Sequence, residues 1–185
     1  GDNIVSILPN YQQYYSIPES LGNEVRIYTC DEKSDYKIDF TELAKLVDSH
    51  TKMINLASPN NPTGYLYTRR EMNQIRDMVK KYDLYLFSDE VYREFIYTGS
   101  PYISACHLEG IEENVVLIDS VSKRYSECGI RIGALITKNK EVRNAVMKFC
   151  QARLSPPLIG QIAAEASLDA PEEYYSNHVL YTFLC

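Results

Sequence analysis

The sequence predicts an α/β fold of three layers, a mostly parallel sheet with helices on both faces. Three observations predict it. Short apolar runs alternate with amphipathic segments along the chain, and the runs at 84–87 and 115–118 are continuously apolar, as strands covered on both faces must be. The length of 185 residues suits a single domain with a sizeable core.

The elements follow in order. Residues 3–8 read as a strand, the Tyr-rich segment 11–21 as a helix closed by Gly22, and 25–29 as the next strand. Residues 41–49 have helical spacing and 53–57 form a short, mostly apolar strand. Thr68 and Glu71 have the form of a capping box, and Met72, Ile75, Val79 and Tyr82 repeat on one helix face, which predicts a helix over 68–82. Strands at 84–87 and 115–118 are followed by a third at 132–137. Asn139 is placed to cap a helix running to 154, and Pro157 and Pro171 sit where the first turns of two further helices would begin.

Bulk composition excludes several classes of function. Hydrophobic residues make up 45% and charged residues 24%, and no apolar run is long enough to cross a bilayer as a helix, so a membrane role is not expected. The net charge is -6 with scattered basic residues, which leaves no track for a nucleic-acid backbone. Cys30, Cys106, Cys128, Cys150 and Cys185 are an odd, widely spaced set without a C-x-x-C pair or a secretory leader, so they read as reduced thiols of a cytoplasmic protein. His50, His107 and His178 are equally scattered, which points to no metal site. The chain enters a strand-like run at once and stops inside the helically spaced NHVLYTFLC, so it is expected to be a piece of something longer.

Open parallel sheets bind ligands beyond the carboxyl ends of their strands. Three such positions carry unusual chemistry: SPNNPTG at 58–64, SDEVY at 88–92 and DSVSK at 119–123. Together they would gather Asn61, Asp89, Tyr92, Ser120, Ser122 and Lys123 at one crevice. Each also has a plain structural role available. SPNNPTG has turn chemistry, an Asp at 89 can cap a helix starting near Val91, and Lys123 can be a solvated surface lysine.

The runs SPNNPTG, SDEVYREF and SVSKRYSECGIRIG, in this order and with these intervals, resemble the large-domain core of the class I and II aminotransferases, fold type I pyridoxal phosphate (PLP) enzymes of the aspartate aminotransferase type. The resemblance implies that Lys123 forms the Schiff base with the cofactor aldehyde and later carries a proton between the substrate Cα and the cofactor C4′. Asp89 then pairs with the pyridinium nitrogen, while Tyr92 and Asn61 bond the phenolic oxygen of the ring. Arg131, eight positions after Lys123, grips the phosphate with help from Ser120 and Ser122, and Gly129 and Gly133 let the backbone turn beside it. Tyr11, in LPNYQQYY, falls where the family stacks an aromatic ring on the cofactor, though Tyr14 and Tyr15 lie close by.

Family members are about twice this length by the same resemblance. A phosphate-binding segment would precede Gly1, and a small domain with the arginine that binds the substrate carboxylate would follow Cys185. The expected parent is a homodimer moving an amino group between an amino acid, aspartate-like by family frequency, and a 2-oxo acid. This chain alone is expected to be inactive or nearly so, with an exposed apolar surface. Other fold type I chemistry, a C–S lyase or ring-forming synthase, would use the same lysine, aspartate and arginine, and a non-catalytic ligand-binding role stays open. Ser120 to Lys123 also has the S-x-x-K form of penicillin-recognising serine enzymes, but K-T-G is missing and Ser88-Asp89-Glu90 is a poor stand-in for S-D-N.

Overall fold

In the computed structural model, residues 1–174 are described. The helically spaced stretch NHVLYTFLC lies outside them. Glu172 to Tyr174 begin a helical turn after Pro171, and the remainder of that expected helix also falls outside.

The chain runs β1 (Asn3–Leu8), α1 (Gln13–Ser20), β2 (Glu24–Thr29), α2 (Phe40–Ala44), β3 (Thr51–Ala57), α3 (Arg69–Tyr82), β4 (Tyr85–Asp89), β5 (Val115–Ser120), α4 (Val121–Arg124), β6 (Gly133–Ile136), α5 (Lys140–Arg153) and α6 (Leu158–Ala166), with short 3-10 turns between. The six strands form one sheet in the order β2-β1-β3-β4-β5-β6, every pairing parallel except β5 with β6. The α/β reading holds, with an antiparallel edge strand.

Local chemistry explains most boundaries. Thr68 accepts a bond from Glu71 N while the Glu71 carboxylate reaches back to Thr68 N at 2.8 Å, so the predicted capping box forms. Met72, Ile75 and Val79 of α3 are buried against the sheet's core with Val5, Ile54, Leu56, Leu84 and Leu86. Asn139 accepts from Glu141 N and Val142 N, both at 3.0 Å, and starts α5 as expected. Gly22 ends α1 at φ +82°.

Several boundaries differ from the sequence reading, each for a local reason. Tyr11 stays outside α1 because Asn10 Oδ1 accepts its N–H at 2.8 Å and holds it in a turn. Helix α2 stops at Ala44 because Lys45, Leu46 and Val47 bond three residues back, and Asp48 then takes the N–H groups of His50 and Thr51. Strand β4 extends through Asp89 and β5 through Ser120, so these residues end strands rather than follow them. Gly133 serves that close pairing: a Cβ there would lie 3.1 Å from Asp119 O, while Gly129 meets no such neighbour.

Candidate active site

The carboxyl ends of β3, β4 and β5 and the segment after β1 frame a cleft of about 360 Å3. Its lining includes Tyr11, Asn61, Asp89, Tyr92, Ser120, Ser122, Lys123 and Arg131, every side chain given a cofactor contact from the sequence, but not Gly129 or Gly133. A second hollow of about 540 Å3, walled by Pro59, Pro62, Phe95 and Tyr97, opens beside it and shares Asn61, Tyr92, Ser122 and Lys123.

SPNNPTG acts as a turn and as a site at once. Asn60 does the turning: its side chain donates to Pro9 O at 3.0 Å and accepts from Thr63 N and Thr63 Oγ1, and its backbone bonds Tyr65 and Gly64. This leaves Asn61 facing the cleft.

Asp89 is the buried acid of the cleft, 9% exposed. Its Oδ1 accepts from Val91 N at 3.1 Å and its Oδ2 from the Tyr14 hydroxyl. The expected capping role appears only as this turn, because no α-helix starts at Val91. Burial raises the Asp89 pKa above the usual carboxylate range, and the Asp119 charge adds to the rise. The bonds from Tyr14 and Val91 and the charge of Lys123 oppose it.

Lys123 stands exposed on the single turn of α4, its Nζ 5.5 Å from the centroid of the Tyr92 ring. Ser120 caps that turn by accepting Ser122 N at 3.0 Å, and its Oγ also lies 2.8 Å from Ser122 Oγ and 2.9 Å from Ile132 O. Arg131 adopts the left-handed region at φ 59°, and its Nη1 donates to Cys128 O at 2.7 Å. Tyr11 lines the cleft 46% exposed, edge-on to Tyr14 at 5.9 Å.

Three residues that the sequence reading passed over hold this arrangement in place. Tyr14 packs its ring on Phe87 at 5.3 Å while its hydroxyl bonds Asp89, and burial with the Asp89 charge pushes its pKa up. Asn55, 1% exposed, accepts from Ser6 Oγ at 2.9 Å and Asn10 Nδ2 at 3.3 Å and donates to Tyr14 O at 3.1 Å. Glu90, also 1% exposed, accepts from Ala105 N at 2.8 Å, Ser88 Oγ at 3.1 Å and the Tyr102 hydroxyl. The available signal was a polar residue inside an apolar strand run, as Ser6 is in NIVSIL and Asn55 in TKMINLA.

Comparison with known proteins identifies the family and the fold. A family model described as "Aminotransferase class I and II" matches residues 1–180. Among curated relatives, kynurenine--oxoglutarate transaminase 3 of Bos taurus is 31% identical over 96% of this chain and 42% of its own length. Aspartate aminotransferase of Bacillus sp. (strain YM-2) is 29% identical over 94% of this chain and 44% of its own. Among solved structures, cystalysin from Treponema denticola, which contains a pyridoxal 5'-phosphate cofactor, superposes with a TM-score of 0.90 at 26% identity. It is covered over 47% of its length, by 97% of this chain. Alanine aminotransferase from Pyrococcus furiosus gives a TM-score of 0.88 at 31% identity, over 97% of this chain and 46% of that structure. The chain thus spans less than half the length of these relatives.

Proposed function

We propose, from the premise that the chain belongs to the class I and II aminotransferase family, that it is the cofactor-holding part of a PLP-dependent enzyme that moves an amino group between an amino acid and a 2-oxo acid. The observation that carries this reading is the meeting of Asn61, Asp89, Tyr92, Lys123 and Arg131, from separate stretches of chain, in one cleft.

The donor set fits the cofactor chemically. A buried carboxylate whose hydrogen bonds come from neutral donors, Tyr14 Oη and Val91 N, is where a cationic ring nitrogen gains most. Arg131 has a planar fork with more N–H groups than its bond to Cys128 uses, and Ser120 and Ser122 add hydroxyls for a phosphate. Tyr11 supplies an aromatic face, and Asn61 and Tyr92 supply polar groups for a ring oxygen.

When bound, PLP supplies an aldehyde and an electron-withdrawing ring that takes up the electrons released at a substrate Cα. Lys123 is the amine placed to hold that aldehyde, and, when free, to take a proton from the substrate Cα and return it. Asp89 holds the proton on the ring nitrogen. Asn61 and Tyr92 orient the ring, and the neighbouring hollow leaves room for substrate at the Lys123 side.

The same reading makes residues 1–185 part of a PLP-binding large domain, acting with a segment before it and a small domain after it, in a cytoplasmic homodimer. The relatives of more than twice the length support the flanking segments. No described helix is long and apolar enough to cross a membrane.

The test is to mix the chain with PLP, reduce with borohydride and map the pyridoxyl label by peptide mass, with Lys123→Ala as control. Label concentrated on Lys123 supports the reading. Label spread evenly over the lysines, unchanged in the variant and in a full-length parent, would sink it.

A further inference from the structure

Two arginines and two acids interleave between the turn after β4, the end of β5 and the last residue of α4. Arg93 Nη2 lies 2.9 Å from Asp119 Oδ2, and Arg124 Nη2 lies 3.3 Å from the same oxygen. Glu94 Oε1 lies 3.6 Å from Arg93 Nε and 3.3 Å from Arg124 Nε. The Arg124 Nε is buried and misaligned for a hydrogen bond, so its link to Glu94 is Coulombic. The Arg124 and Asp119 side chains are 14% and 15% exposed, so water screens the inner pair little, whereas Glu94 at 43% forms the wetter rim. The four formal charges balance.

The network sits where the site needs support. Arg93 directly follows Tyr92, and Arg124 directly follows Lys123. Asp119 is anchored in β5, paired with Ala134 of β6. Tyr92 rides on a turn without α-helix, and α4 is a four-residue helix with no buried residue, so neither segment fixes its side chain by its own hydrogen bonding. Yet Lys123 Nζ stands 5.5 Å over the Tyr92 ring.

We propose that Arg93, Glu94, Asp119 and Arg124 form a charge clamp that holds the Tyr92 turn and the Lys123 turn in register, with Asp119 as shared acceptor and Arg124 as the positioning residue for Lys123. Its consequence for the lysine rests on the reading of Lys123 as the reactive amine. The clamp itself is independent of that reading.

The test separates the two. Asp119→Asn strands two guanidinium groups and can unfold the region, so Arg124→Gln, which leaves Asp119 paired with Arg93, is the working variant, with Arg124→Lys as the conservative partner. Amide hydrogen exchange is followed by mass in peptides covering 91–97 and 121–126. In Arg124→Gln both peptides should exchange about tenfold faster, the scale of coupling between members of one network, with β1 to β3 unchanged. Arg124→Lys should return 91–97 toward the parent rate. Acceleration confined to 121–126 overturns the clamp.

A second readout is the pyridoxyl label trapped on Lys123, which should fall about tenfold relative to the other lysines in Arg124→Gln. Exchange that rises in both peptides with undiminished Lys123 label overturns Arg124 as the positioning residue. Absence of Lys123 label in the unaltered protein sinks the cofactor reading instead, and the exchange rates still decide the clamp.

Discussion

From β1 to β5 the chain builds its own interior: Leu43, Ile54, Leu56, Ile75, Leu84 and Leu86 have no exposed surface. From α4 to Tyr174, Gly160 is the only buried residue among those described, where a Cβ would come within 2.9 Å of Ile130 O. The second region is not less apolar. Met147, Phe149, Leu154, Leu158, Ile159, Ile162 and Leu168 are all more than half exposed. The difference teaches where the site stands. Asn61 and Asp89 belong to the region with a closed core, Lys123 and Arg131 to the region without one, and the cleft is their seam. Acid and amine therefore stand in unequal packing, which is why the ion pairs crossing that seam matter.

The comparison breaks first on core truncation. Leu86→Ala should cost about 2–5 kcal/mol of unfolding free energy, while Phe149→Ala should move it by less than about 0.5 kcal/mol. Urea denaturation of both variants checks this, and equal losses would show a second core in α5 and α6.

Thiol chemistry gives the next contrast. Burial pushes the Cys30 thiol up to about 11, whereas Cys128 and Cys150 are exposed. Since only the thiolate reacts, Cys30 should label with iodoacetamide on the order of a hundredfold more slowly than Cys128 in the folded chain. Comparable rates would mean the first region opens as readily as the second.

A smaller effect sharpens the account of the first region. Glu90→Gln leaves one carbonyl oxygen where a carboxylate took bonds from Ser88, Tyr102 and Ala105, and should cost about 1–3 kcal/mol. A neutral outcome by thermal or urea unfolding would demote Glu90 from anchor of the 102–105 loop to filler.

The slightest signature is a slope with pH. The folded pKa of Asp89 is raised by burial, so the protonated acid favours the folded state. Its contribution is full below the unfolded value of about 4 and is lost as pH rises through the raised folded value. Asp89→Asn should flatten this decline in a pH series of unfolding free energies. A variant with the same slope as the parent would assign the decline to other groups.

Much of the cleft was legible in the sequence because its polar lining residues stand at or shortly after strand ends. Asn61, Asp89 and Lys123 could be placed once the strands before them were recognised from apolar runs. The supports were not legible for a matching reason. Tyr14 lies 75 residues from Asp89, Ser6 lies 49 from Asn55, and Asp119 of β5 meets Arg93 of the turn after β4. Nothing near Tyr14 in the chain distinguishes it from Tyr11 or Tyr15.

By itself the sequence determined the alternation of strands and helices, the caps at Thr68 and Asn139, and the group of residues at the strand ends. Those features depend on neighbours within a turn or two, where hydrogen-bond geometry and apolar period act locally. Only the tertiary structure decided that β6 runs antiparallel, that Tyr14 and Asn55 brace the buried acid, and which apolar residues have a core to enter. These depend on parallel strands bringing distant segments into register, and burial is a property of the assembled surface that no local pattern carries.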